Sequence, residues 1–118
     1  DLEDLCAGLY QYEEAVYAGQ PMPPASWGYD PSMDEYKQKY DPEHAKQLLT
    51  EAGYPDGFEI TITLSNSSTN TSLATILQQY WKQNLNVDLK INMSEWAVYS
   101  QTVTSGNHEI YAVESIPQ

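Results

Sequence analysis

From residue 58 onward the apolar positions of this chain change period in a regular way. Phe58, Ile60, Ile62 and Leu64 alternate with Glu59, Thr61 and Thr63. That two-residue period belongs to a strand with one apolar face. A polar loop, SNSSTN over Ser65 to Asn70, follows. Leu73, Ile76, Leu77, Tyr80, Trp81 and Leu85 then recur at steps of three and four, the spacing of one helix face. Thr71 or Asn70 can cap that helix. Val87, Leu89, Ile91 and Met93 alternate with Asp88, Lys90 and Asn92 as a second strand. Ser94 is placed to cap a third helix that carries Trp96, Tyr99 and Val103 and ends near Gly106. A last short strand covers about Glu109 to Val113.

The pattern predicts an α/β fold, β-α-β-α-β. Strands separated by helices of this length pair in parallel through right-handed crossovers. The expected sheet is three-stranded and largely parallel, in order 2-1-3, with the Phe58 to Leu64 strand in the middle. Strands covered on both faces read as nearly continuous apolar runs. Here every second residue of the first two strands is polar. One face is therefore expected to be thinly covered, or covered by chain outside this segment. The helix ending at Asn84 must turn at once into the strand at Val87. Asn86 is predicted to be left-handed there, because Asn tolerates positive φ best after Gly.

Upstream, YDPEHAKQLLTEAGYPDG, Tyr40 to Gly57, has an explicit helix start and stop. Asp41 can cap the first turn, and Pro42 suits the first helical position. Ala45, Leu48, Leu49 and Ala52 share one face, predicted to be buried. Gly53 ends the helix, Pro55 forbids more of it, and a Pro-Asp-Gly turn leads into the first strand. The first 40 residues are the least regular. Tyr12 to Ala18 predicts a helix stopped by Gly19, and Gln20 to Pro24 an extended connector. Ser26 to Tyr36 predicts a loop anchored by Trp27, Tyr29 and Tyr36. The expected organisation is a single domain over 1–118, with a helix and a Pro- and Tyr-rich connector over 1–40 and an α/β core over 41–118.

Charge narrows the function. The 118 residues hold 17 acids and 5 bases, a formal charge of -12. Nucleic-acid partners need Lys and Arg against phosphate, and an anionic membrane face repels such a chain. Its acidity reads first as solubility. No run of about 20 apolar residues is present, so no direct membrane insertion is expected. The chain opens on Asp1, Leu2, Glu3 and Asp4, without the basic start and apolar run of a signal peptide. Cys6 is the only cysteine, so it forms no intrachain disulfide and no thiolate metal site. His44 and His108 lie far apart without ligand spacing, His44 on the wet face of its helix. Neither a metal nor a cofactor is expected. No Gly-rich phosphate loop, G-x-S-x-G elbow or H-E-x-x-H pair occurs, so the chain does not read as an enzyme.

The "YDP-x-x-A-x-x-LL-x-EAGYPDGF" passage resembles the signature of the family 5 extracellular solute-binding proteins. These are the peptide-, dipeptide- and nickel-binding components of bacterial ABC importers. YEEAVYAGQPMPPA, Tyr12 to Ala25, and LQQYWKQNLNVDLKINMSEW, Leu77 to Trp96, extend the resemblance over nearly the whole chain. It implies part of the second of two lobes that close on a solute, in a periplasmic-binding-protein-like fold. It also implies an excised domain, or a stand-alone remnant, of a longer protein. The implied function is capture of an oligopeptide or related small solute for an ABC permease. That protein would work outside the cytoplasm, in the periplasm or at the cell surface, lipid-anchored in its full-length form. The resemblance places ligand contacts at Asn66 and Thr71, after the first strand, and in the segment after the last strand. Relatives carry a "G-W-x-x-D" pattern there whose Asp meets a peptide amino group. This chain reads Glu114, Ser115, Ile116, Pro117 and Gln118, with no Trp and with Gln118 for the Asp. Glu114 can supply the missing negative charge. The alternative reading is an acidic protein-interaction module with no small ligand.

Overall fold

A computed structural model describes residues 2–9, 20, 22 and 24–113 of the chain. They fall into two compact units, divided between Asp41 and Pro42.

In the first unit, helix α1 spans Leu2–Leu9, a segment for which the pattern gave no element. The helix expected over Tyr12 to Ala18 lies outside the described residues. The stretch read as a loop contains a short 3-10 helix, Pro31–Tyr36. Asp30 caps it, its carboxylate accepting from the Ser32 amide at 3.0 Å and hydroxyl at 2.8 Å. Tyr29 donates its hydroxyl to Asp34, and the Gln20 amide spans the Asp30 carbonyl and the Asp34 carboxylate. Of the three expected aromatic anchors only Tyr29 is held in this way, whereas Trp27 and Tyr36 are 97% and 66% exposed.

The second unit runs α2 (Pro42–Glu51), β1 (Glu59–Ser65), α3 (Ser68–Leu85), β2 (Asp88–Ser94), α4 (Trp96–Thr104) and β3 (Ile110–Tyr111). The sheet order is β2-β1-β3 and both pairings are parallel, as the pattern required. Helix α2 stops where expected. Gly53, at φ 93, lets its own amide reach the Thr50 carbonyl and the Tyr54 amide reach the Leu49 carbonyl. Those two bonds satisfy carbonyls that a helix end would otherwise leave open. The apolar face of α2 is less covered than its spacing predicts. Ala45 and Leu49 are half-buried, but Leu48 and Ala52 are exposed. Periodicity reports a face, not the presence of something to cover it.

Register places Ile60 beside Leu89, Ile62 beside Ile91 and Ile110, and Leu64 beside Met93. Helix α3 covers this apolar face with Ala74, Leu77 and Trp81. Leu64, Leu89 and Ala74 are almost fully buried, and burying each leucine contributes about 1.5–3 kcal/mol. Gln78 closes the outer edge of β2 by donating to the Leu89 carbonyl at 2.7 Å. On the other face Glu59, Lys90 and Asn92 are exposed, matching the thin cover predicted for it. Helix α4 packs on β1 and β2 and reaches β3 by a crossover opposite in direction to that of α3. A right-handed connection therefore sets it on this second face. Thr63, at 2% exposure, is buried there.

Two expected caps fall on neighbouring residues. Ser67, not Thr71 or Asn70, caps α3 by accepting from the Asn70 amide at 3.0 Å. Glu95, not Ser94, precedes α4, because Ser94 is still paired in β2 with Ser65. Asn86 takes the left-handed conformation predicted for it, with φ 53 and ψ 28.

Candidate functional site at the carboxyl edge of the sheet

Three parallel strands end on one side of a sheet, so Ser65, Ser94 and Tyr111 open onto a common edge. Ligands of open α/β sheets bind beyond such carboxyl ends. The first residues of α3 and α4 share this edge, with the positive ends of their helix dipoles.

Asn66 directly follows β1. Its amide donates to the Ser94 carbonyl at 2.9 Å, carrying the ladder one step further, and the residue is exposed. Thr71 lies in the first turn of α3, also exposed. Its hydroxyl donates to the Ser67 carbonyl at 2.8 Å and sits 3.8 Å from the Met93 sulfur. Its proton is therefore used within the helix, while its oxygen keeps lone pairs for accepting. Fold topology brings Asn66 and Thr71 to the same edge. Glu114, Ser115 and Gln118 lie outside the described residues, four positions or fewer beyond the end of β3 in Glu114 and Ser115, further for Gln118.

Three residues at this edge were not picked out by their spacing. Asn70, only 4% exposed, donates its side-chain amide to the carbonyl and hydroxyl of Ser65 at 2.8 and 3.0 Å. It fixes the end of β1. Glu95 is exposed, and its side chain makes no capping bond to α4. Trp96, first in α4, is 61% exposed with its ring 5.5 Å from that of Tyr99. A Glu-Trp pair directly after a strand was the available signal for both. At the third strand, the Ala112 amide donates to the Thr63 carbonyl at 3.3 Å. Tyr99 donates its hydroxyl to the Ala112 carbonyl at 2.8 Å. Burial, and then the neighbouring Tyr111, push the Tyr99 phenol above its ordinary pKa, so it stays a proton donor. His108 packs edge-on against Tyr111 at 4.9 Å.

A concavity of about 550 Å³ lies at the opposite end, between the last turns of α3 and the start of β2. It is lined largely by Gln78, Gln79, Gln83 and the Lys82–Asp88 ion pair, whose 2.9 Å contact is half exposed. Exposed pairs of this kind contribute little. Convergence of strand ends favours the carboxyl edge over this groove. Among the described residues no group of three or more His, Cys, Asp or Glu side chains could hold a metal ion. No described helix is long and apolar enough to cross a membrane.

Comparison with known proteins agrees with this architecture. The family model described as bacterial extracellular solute-binding proteins, family 5 middle, matches residues 1–117. The chain is 38% identical to haem-binding protein A of Haemophilus influenzae over 79% of its own length and 18% of that protein's. It is 33% identical to the dipeptide-binding protein of Escherichia coli, over 81% of this chain and 19% of the relative. Among solved structures, the ABC transporter-associated periplasmic binding protein DppA of Helicobacter pylori, in complex with the peptide STSA, superposes with a TM-score of 0.83 at 33% identity. That match covers 94% of this chain and 21% of the other. The chain thus spans about a fifth of the length of these relatives. With the parallel 2-1-3 sheet and the match along almost all its residues, the chain belongs to the family 5 bacterial extracellular solute-binding proteins.

Proposed function

We propose that this chain is part of the substrate-capture lobe of an ABC importer's solute-binding protein, taking oligopeptides or a related small solute outside the cytoplasm. In the full-length protein, lipid-anchored at the membrane surface, two lobes close on the solute and present it to a permease. No bond is made or broken. Recognition needs only a cleft with a few placed polar groups. The observation that carries the reading is the shared carboxyl edge, with the exposed Asn66 and Thr71 following β1 and the exposed Trp96 following β2.

Each group has a role suited to a peptide. The Asn66 amide can donate to and accept from a peptide backbone, and the Thr71 oxygen can accept from it. The Trp96 indole offers a flat apolar surface to a side chain. Glu114 supplies the charge for a ligand amino group, with Ser115 and Gln118 as further polar contacts. Gln118, standing where relatives have an Asp, lowers the weight of that amino group in recognition.

The test is calorimetry on the full-length parent protein with dipeptides, tripeptides, the tetrapeptide Ser-Thr-Ser-Ala and haem. Micromolar binding of a peptide, weakened at least about tenfold by Asn66→Ala, is the expected result. Peptide binding absent at millimolar concentration overturns the reading in favour of an acidic interaction module. Haem binding alone reassigns the solute.

A further inference from the structure

Resting on the capture reading above, we propose that Tyr99 is a positioning residue for the ligand edge. It holds the exposed Trp96 indole and the exit of β3 as one rigid unit. Tyr99 is only 2% exposed and so is withheld from a solute at the edge. Its two ends reach two features that do face that edge. The ring lies 5.5 Å from the Trp96 ring at an interplanar angle of 35°. The hydroxyl donates to the Ala112 carbonyl at 2.8 Å.

The second contact matters because β3 is so short. Only Ile110 and Tyr111 pair with β1, opposite Ile62 and Thr63. Beyond them the backbone is held at Ala112 from two sides. Its amide donates to the Thr63 carbonyl on the sheet, and its carbonyl accepts from Tyr99 on α4. Val113, the next residue, is 53% exposed. Ala112 is therefore held from both sides at the point where the described chain leaves the sheet. A buried phenylalanine would fill the same volume. The hydroxyl adds a bond whose partner is a backbone atom at the candidate site. Binding-site groups must be held within about 0.5 Å of their productive geometry, which requires that kind of support.

The experiment uses the full-length parent protein and Tyr99→Phe, which keeps the ring against Trp96 and removes only the hydroxyl. Affinity for the tetrapeptide Ser-Thr-Ser-Ala is measured at a temperature where circular dichroism shows each protein fully folded. Expected is a loss of about three- to tenfold, the value of one hydrogen bond. Amide exchange at Ala112 should be faster in the free variant and slowed again by saturating peptide. Leu77→Ala is the control. It loosens the α3 side of the core, away from α4, and its affinity should match wild type. Wild-type affinity in Tyr99→Phe overturns the proposal, and so does an equal loss in Leu77→Ala, which would mark a general effect of destabilisation. If wild type itself binds none of the peptides, the capture reading has failed instead.

Discussion

Gly57 is the residue whose identity the fold constrains most visibly. Its φ is 80, and a β-carbon built there would fall on the Asn86 carbonyl. The approach is tight because the turn after α2 clasps the turn after α3. The Asn86 side chain donates to the Asp56 carbonyl at 2.5 Å, and the Asp88 amide donates to the Phe58 carbonyl at 2.8 Å. Gly57→Ala must accept both a left-handed backbone and a displaced neighbour, so it should lower stability by at least about 2 kcal/mol. A urea denaturation curve with an unchanged midpoint would contradict this. Asn86 was legible in the sequence because two residues separate a helix from a strand there, and few residue types serve such a turn. The cap of α3 was not legible. Ser67, Asn70 and Thr71 all carry a side-chain oxygen or amide, and only the path of the backbone decides among them. Ala74 was invisible for another reason: apolar spacing does not say at which step a helix comes closest to its sheet.

At the scale of elements, local hydrogen bonds decide what periodicity leaves open. The 3-10 helix Pro31–Tyr36 carries no apolar stripe and has no buried residue, yet its polar contacts are dense. The Ser32 hydroxyl and amide hold the Asp30 carboxyl below its ordinary pKa. The Tyr29 hydroxyl, and then Gln20, do the same for Asp34. Both acids are therefore more acidic in the folded segment than their ordinary value of 3.8. A depressed folded pKa contributes stability that is present above the unfolded value and lost as pH falls through the folded one. What these two carboxylates contribute to the segment should thus be present at pH 5 and be lost only below 3.8. The amide shift of Ser32, followed by NMR against pH, reports the transition, and a midpoint at or above 3.8 would contradict the assignment. Helix α1 was readable in principle, since Leu2, Leu5 and Leu9 stand at steps of three and four. The third strand was read as short, but not that it would be only the two residues Ile110–Tyr111. The Glu109 carboxylate accepts from the Thr61 amide, where a longer third strand would offer a backbone carbonyl. An acidic residue in a strand-like run gives no sign that it will bond in place of the strand.

At the scale of the whole molecule, topology was the most legible property, and it also sets what the chain can bind. Two helical crossovers of opposite direction give the 2-1-3 order, and that order gathers the three strand ends on one edge. On the capture reading proposed above, one edge of one sheet supplies only part of a cleft that closes from two sides. The sequence could therefore indicate where Asn66 and Thr71 lie without indicating what stands opposite them. A consequence follows for the isolated chain. A micromolar ligand has a binding free energy of about -8 kcal/mol, and a single jaw contributing half of it binds at roughly millimolar strength. The exposed Trp96 and Asn66 would meet solvent on their far side, so the expulsion of water that strengthens polar contacts in a closed cleft is also lost. Calorimetry of this 118-residue chain with Ser-Thr-Ser-Ala should accordingly detect no binding in the micromolar range. Micromolar binding would mean that this edge is a complete site, and that closure of a second lobe adds little to recognition.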